Sequence, residues 1–473
     1  MSSPEYGANC SQDENTKAPV QSMHNPANSV PERLLSRTGA IAIIVGIVIG
    51  AGIFKTPSMV AGITGDIGWM MGVWIAGSII SMAGALCYAE LATMYPHAGG
   101  DYHFLQRAYG KNISFLYGWA KATVINTGSI ALLAFVFGDY MSKVLPLGAY
   151  STVIWALLII AGLTLINLIG IHASSGVQTI LTILEVAGLV AIIVAGFGFL
   201  GAPLPPVEHA ALFSSTPQFG LLGLAMVFVL LTFGGWNESA YISAEVKGGS
   251  KTVVMVIVSS LLLITLIYLL VNGALINGLG MQQLANSKAA PADLLGLAFG
   301  PLGEKLLGLF VAIAALTSIN ATMIVGARTN FAMGEDWYGL RFMRRWEAKR
   351  GSPSLAYLVQ GAICVGLVGF GALQSDGFEA MVEFTAPVFW SFLFLVGIAV
   401  FILRFKHSGA RRAFSIPLYP FTPLLFCASC AYLAYSSFAY AHSKGAVYIS
   451  LYVMLAGLIA LIYLRTKKDL LIK

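Results

Sequence analysis

Gly46-Ile47-Val48-Ile49-Gly50-Ala51-Gly52-Ile53-Phe54, running on into Lys55-Thr56-Pro57, sets two glycines around an alanine inside an apolar stretch. A second stretch, Leu231-Thr232-Phe233-Gly234-Gly235-Trp236-Asn237-Glu238-Ser239, sets a glycine pair against polar residues in the same manner. Glycine frees the backbone from helical dihedrals, so each stretch reads as a helix interrupted near its centre. What such interruptions mean depends on the solvent around them, and composition decides that.

Of the 473 residues 57% are hydrophobic and only 10% charged, and the mean hydropathy is +0.79. Soluble domains carry about 25% charged residues, so lipid must be the solvent for most of the surface. The first 32 residues are polar, with no apolar core after a basic start; they read as a disordered tail and not as a signal peptide. Five cysteines (Cys10, Cys87, Cys364, Cys427 and Cys430) are too scattered for a disulfide framework, and the Cys427-x-x-Cys430 spacing inside an apolar run reads as core packing.

A span needs ~20 mostly apolar residues to cross ~30 Å of hydrocarbon. Twelve are placed, at 38–62, 67–95, 113–141, 150–170, 176–200, 219–248, 252–276, 303–331, 354–373, 380–404, 420–440 and 446–465. The polar link from His172 to Ser175, between spans four and five, is the weakest division. With the N-terminus inside, only Lys143, Lys288, Lys305 and Lys444 of the 27 Lys and Arg fall outside, and Lys55 and Lys121 fall within spans. The remaining 21 lie on the inner side, so the positive-inside rule puts both termini in the cytoplasm of a multi-pass cell-membrane protein. The net charge of +6 reflects this topology and not nucleic-acid binding.

The two interruptions then fall in spans one and six, near the bilayer midplane. Unpaired peptide groups at that depth must line an enclosed or wet cavity, and paired Gly-interrupted spans in two halves point to a transporter binding site. Spans five apart suggest an inverted 5+5 repeat, with 33–200 holding spans one to five and 219–404 holding six to ten. The segment 201–218 is an outer loop, and 405–473 adds spans eleven and twelve and an inner C-terminus. The outer half of span one starts near Ile53 with free amides at a positive dipole end; that of span six ends near Thr232 with free carbonyls. Donors for a carboxylate and acceptors for an ammonium suit an α-amino acid. The competing reading is that the glycines only allow close helix packing.

These residues resemble the amino acid–polyamine–organocation superfamily, in particular its bacterial amino-acid permeases and the L-amino-acid transporter branch. The likeness rests on Gly46 to Phe54, on Cys87-Tyr88-Ala89-Glu90-Leu91 with Pro96-x-x-Gly99-Gly100-Asp101-Tyr102, and on Phe233 to Asn237 with Ala244-Glu245-Val246. Gly326-Ala327-Arg328 with Met333-Gly334, and Arg412-x-Phe414-x-Ile416-Pro417-Leu418-Tyr419-Pro420, extend it. The resemblance implies the inverted-repeat fold, alternating access, and a carboxylate held by the amides of Gly50, Ala51 and Gly52, flanked by Ile49 and Ile53. It further implies an amine held by carbonyls at Phe233 and Gly234, beside Gly235 and Asn237, with Trp236 or Phe233 closing over the side chain. Relatives use a cysteine in the loop after span three to join an accessory subunit; residues 143–150 hold none, so no disulfide-linked partner is expected and the protein is read as a monomer or weak homo-oligomer.

Charges inside spans need a partner or a task. Glu185 stands in span five where many relatives carry a lysine, so it reads either as a proton carrier or as half of a structural pair; no cofactor, metal or sodium site is expected. Lys121 reads as a salt-bridge partner of Glu185 near the inner gate, or as snorkelling to the interface. Glu238 is a gate or a cap for the inner half-helix. Ser318, with Thr317 and Asn320, lines the site or bonds neighbouring helices. Glu90, Glu245 and Arg328 read as an inner structural or gating network. Rival functions are a polyamine or amine transporter and a transporter-like amino-acid sensor. An enzyme is disfavoured, since the 7 histidines do not cluster.

Overall fold

The computed structural model describes residues 35–472, apart from 51, 98, 200, 202–211, 214–218, 244–245, 288, 348–351, 374–376 and 445–446. The tail 1–32, Cys10, Ala51, Glu245, Lys288, Lys349 and Arg350 therefore lie outside the described residues. Among those described, secondary structure is helical apart from two isolated bridges, Leu35 with Val246 and Glu347 with Ser352.

The helices run α1 Arg37–Val48, α2 Gly52–Thr64, α3 Ile67–Met94, α4 Asp101–Tyr109, α5 Lys111–Ala120 and α6 Asn126–Val144. Then come α7 Ser151–Ile169, α8 Ile171–Gly196, α9 Phe219–Thr232, α10 Ser239–Ile242, α11 Gly249–Asn286 and α12 Ala290–Phe299. The last are α13 Pro301–Asp336, α14 Ser354–Gly371, α15 Gly377–Lys406, α16 Phe421–Lys444 and α17 Val447–Ile472. Ten helices are long and apolar enough to cross a membrane, counting α5–α6 with its linking segment as one. A further pair, α1 and α2, passes that test together and is bent by 47°. At the place expected for span six, α9 has 14 residues and is followed by irregular backbone.

Three features depart from the sequence reading. The division between spans four and five is Gly170 alone, at φ 143°, and residues 172–175 are already helical in α8. Two helices, α4 and α12, fill stretches read as loops. Span three contains a π-helical segment, Lys121–Ile125, between α5 and α6. Such bulges are frequent at functional sites.

The broken first span sits at the centre. α1 packs on α8, α11 and α13, and α2 on α9 and α11. Gly46 makes this possible: a Cβ there would collide with Thr182 and Gln178 of α8 and Thr317 of α13. Ser36 caps α1 by accepting from the Gly39 amide at 3.1 Å, and Asp66 caps α3 through the Trp69 amide at 3.1 Å.

The turn after α9 depends on Gly235, at φ 106°, where an added Cβ would meet Ile47 Cγ2 at 2.7 Å. A side chain in this region costs about 1–2 kcal/mol before any collision. We expect Gly235→Ala to lower the thermal unfolding midpoint in detergent. Gly366→Ala, in α14 with nothing within 4 Å of the new methyl, is expected to leave it unchanged or raise it.

Candidate functional site

Helix α1 stops at Val48 because Ile49 is extended (φ −73°, ψ 105°) and its amide reaches back to Val45. The carbonyls that end α1 then need donors from elsewhere. Ser318 Oγ of α13 lies 3.2 Å from both Gly46 O and Ile49 O. The Tyr268 hydroxyl of α11 donates to Val48 O at 2.9 Å. In span six, Phe233 N and Gly234 N close the last turn onto Val229 O (2.9 Å) and Leu231 O (3.0 Å). A 3₁₀ turn, Trp236–Glu238, follows Gly235 and leads into α10. The terminal carbonyl of α9, Thr232 O, lies 3.1 Å from the same Tyr268 hydroxyl. One side chain thus serves the ends of both broken helices.

The two breaks face each other. A Cβ on Gly52 would stand 3.1 Å from Thr232 Oγ1, and Thr56 and Thr232 hydroxyls are bonded at 2.6 Å. The amide-rich start of α2 and the carbonyl-rich end of α9 are therefore adjacent, so a positive and a negative dipole end converge. Phe233 packs against Trp74 and Tyr268, at 6.1 and 5.0 Å between ring centroids. Trp236 turns to Tyr88 and Phe426, at 5.2 and 5.7 Å. Ser318 caps α1, while Thr317 bonds its own helix at Ile313 O. Asn320 joins α7 and α8 through Asn167 and Gln178, both at 2.9 Å; it belongs to helix packing.

The expected Lys121–Glu185 salt bridge is absent. Lys121, 1% exposed, instead donates to both oxygens of Glu238, at 3.0 and 2.9 Å, and its Nζ sits 3.8 Å above the Tyr241 ring. Equal depth suggested the wrong partner because depth does not fix helix azimuth. The π-helical segment that starts at Lys121 stands at span six, whereas Glu185 lies on α8. The snorkelling alternative fails as well, since this ammonium is buried. Neither carboxylate oxygen of Glu185 has a hydrogen-bond partner. It follows Gln178 and Thr182, which meet α1 at Gly46, and lies within electrostatic reach of Tyr268.

Asp101 completes the charged cluster. It opens α4, between two spans, and is 2% exposed. Tyr117 lies 2.8 Å from Asp101 Oδ2 and 2.7 Å from the Tyr241 hydroxyl. Burial pushes the Asp101 carboxyl up to about 6, against the pull of Lys121 and the tyrosine hydrogen bonds. Asp101 was legible only as part of Gly99-Gly100-Asp101-Tyr102, and Tyr268 only as a lone tyrosine in the apolar run of span seven. A second ionic knot joins the C-terminal ends of α3 and α15. There Glu90 accepts from Arg404 Nε and the Ile416 amide, both at 2.8 Å, with Arg412 at 3.3 Å. Arg328 bonds Ile324 O of its own helix at 2.9 Å. No group of three or more His, Cys, Asp or Glu is gathered as a metal site among the described residues.

The sequence pattern of the amino acid permease family matches residues 35–462. The serine/threonine exchanger SteT of Bacillus subtilis (strain 168) is 28% identical over 85% of this chain and 90% of its own. The b(0,+)-type amino acid transporter 1 of Homo sapiens is 26% identical, over 84% of this chain and 81% of its own. The Asc-type amino acid transporter 1 of Mus musculus is 27% identical, over 84% and 75%. These relatives are transporters and not enzymes.

Removing one member of a buried ion pair costs ~3–5 kcal/mol, because the other is left uncompensated. Lys121→Met is therefore expected to lower the unfolding midpoint sharply, and Lys121→Met with Glu238→Gln to recover much of the loss. A loss in the double variant equal to the sum of the Lys121→Met and Glu238→Gln losses would mean that the pair is not energetically coupled.

Proposed function

Starting from a chain that belongs to the amino acid permease family, we propose that it is a secondary amino-acid transporter working by alternating access across the cell membrane. The observation that carries this reading is the convergence of α1, α2 and α9 ends on Tyr268 and Thr232. The amides opening α2 at Gly52 and Ile53, with Gly50 and Ala51, receive the carboxylate. The carbonyls about Phe233 and Gly234 receive the ammonium. Each peptide dipole is fixed before the substrate arrives, so little reorganisation accompanies binding.

In this reading α9 with its irregular continuation is the sixth of twelve spans. Spans one to five and six to ten are inverted repeats, and both termini face the cytoplasm. The chain works without a cofactor, a sodium ion or a disulfide-linked accessory subunit. Glu185 is the proton-coupling group: it is buried without a hydrogen-bond partner, and its place beside α1 and Tyr268 lets its charge bias the break. Trp236 and Phe233 bound the side-chain space.

Purified protein in proteoliposomes preloaded with unlabelled amino acid is expected to take up labelled amino acid against its gradient. Absence of counterflow across a panel of neutral, cationic and anionic amino acids would sink the transport reading in favour of a sensor. Glu185→Gln is expected to abolish stimulation of net uptake by an acid-outside gradient while sparing exchange. Unchanged stimulation would remove Glu185 from coupling.

A further inference from the structure

The cluster beneath the span-six break holds an unbalanced charge. Asp101, Tyr117, Lys121, Asn237 and Glu238 line one small cavity, closed on its far side by Phe389 and Leu393. Its two carboxylates face a single ammonium, which Glu238 already engages through both oxygens. Tyr117 supplies Asp101 Oδ2, whereas Oδ1 has no donor at full hydrogen-bond geometry; the buried Tyr88 hydroxyl interacts with Asp101 through charge and a weak hydrogen bond. A buried carboxylate oxygen left without a donor is costly, and so is an uncompensated buried charge.

A primary ammonium answers both deficits, since it brings one positive charge and three N–H donors. The route to it is short. Asn237, Phe389 and Leu393 also line the neighbouring apolar cavity that reaches Gly234 and Trp236, so the charged cavity adjoins the span-six break. Its wall is the π-helical segment Lys121–Ile125. Asp101 follows the second crossing, so the cluster lies toward the face that carries the chain termini.

We propose that Asp101, held beside the Lys121–Glu238 pair, forms a second, release-side station for the substrate's α-ammonium. The amine passes to it from the span-six carbonyls as the site opens toward the terminus-bearing face. This rests on the transport reading above and adds a residue and a direction to it. Asn237 spans the two stations, with its side-chain amide 3.2 Å from Glu238 Oε1.

The test is sided kinetics in proteoliposomes of fixed orientation. Asp101→Asn keeps an oxygen for Tyr117 and removes the charge. It is expected to raise KM for amino acid presented at the terminus-bearing face by about tenfold or more, the worth of a charge-assisted hydrogen bond. KM at the opposite face should stay unchanged, and Asp101→Glu should restore part of the loss. Equal change at both faces would mark Asp101 as structural and overturn the proposal. So would a shifted pH profile without asymmetry, which would assign the cluster to a proton. The wild-type protein gives an independent arm that does not depend on a variant folding. Methylammonium should inhibit exchange only from the terminus-bearing face, and tetramethylammonium, which has the charge but no donors, should not. Lack of that sidedness in a protein that does exchange amino acids overturns this inference alone; lack of any exchange overturns the transport reading with it.

Discussion

A carbonyl that ends a helix in the middle of a membrane has no water to turn to, and hydrocarbon offers it nothing. Tyr268 shares its single hydroxyl proton between two such carbonyls, Val48 O at 2.9 Å and Thr232 O at 3.1 Å. Ser318 does the same for Gly46 O and Ile49 O. These bonds let α1 and α9 stop where they do. The irregular backbone is thus satisfied in part by side chains of α11 and α13. Everything else about the centre of the molecule follows: the 47° bend of span one, the left-handed Gly235, and the contact between Gly52 and Thr232.

Charge obeys the same constraint. Lys121 and Glu238 are tolerated in the interior because they hold each other, and the pair ties a π-helical segment of span three to a 3₁₀ segment of span six. Two irregular segments that each lack the regular ladder are joined by the strongest polar contact available to them. Among the described buried carboxylates, Glu185 has no hydrogen-bond partner and Asp101 Oδ1 has none at full geometry. Glu90, by contrast, is held by Arg404, Arg412 and the Ile416 amide.

The breaks were legible because Gly50, Gly52, Gly234 and Gly235 interrupt otherwise continuous apolar runs at corresponding places in two spans. The helices were legible for the same reason that membrane topology generally is: each must be long and apolar. What pairs with what was not legible. Lys121 and Glu185 share a depth, but depth is one coordinate of three, and helix rotation brought Glu238 to the ammonium instead. Tyr268 gave no local signal, since its task is defined by carbonyls 220 and 36 residues away in sequence. Asn320 and Thr317 look alike in sequence to Ser318, yet only Ser318 reaches the break. Helix α12, a short apolar stretch, and α4, a polar one, fell below the length at which hydropathy speaks.

In the proposed transport cycle, backbone dipoles at the two breaks grip both ends of a zwitterion. Equilibrium binding to purified protein measures this most directly, using one transported amino acid, its methyl ester and its decarboxylated amine. Each analogue should bind weaker by about tenfold or more, since each forfeits the charge-assisted bonds of the carboxylate. An amine that binds as tightly as the parent amino acid would contradict this, because the amides opening α2 would then have no part in recognition.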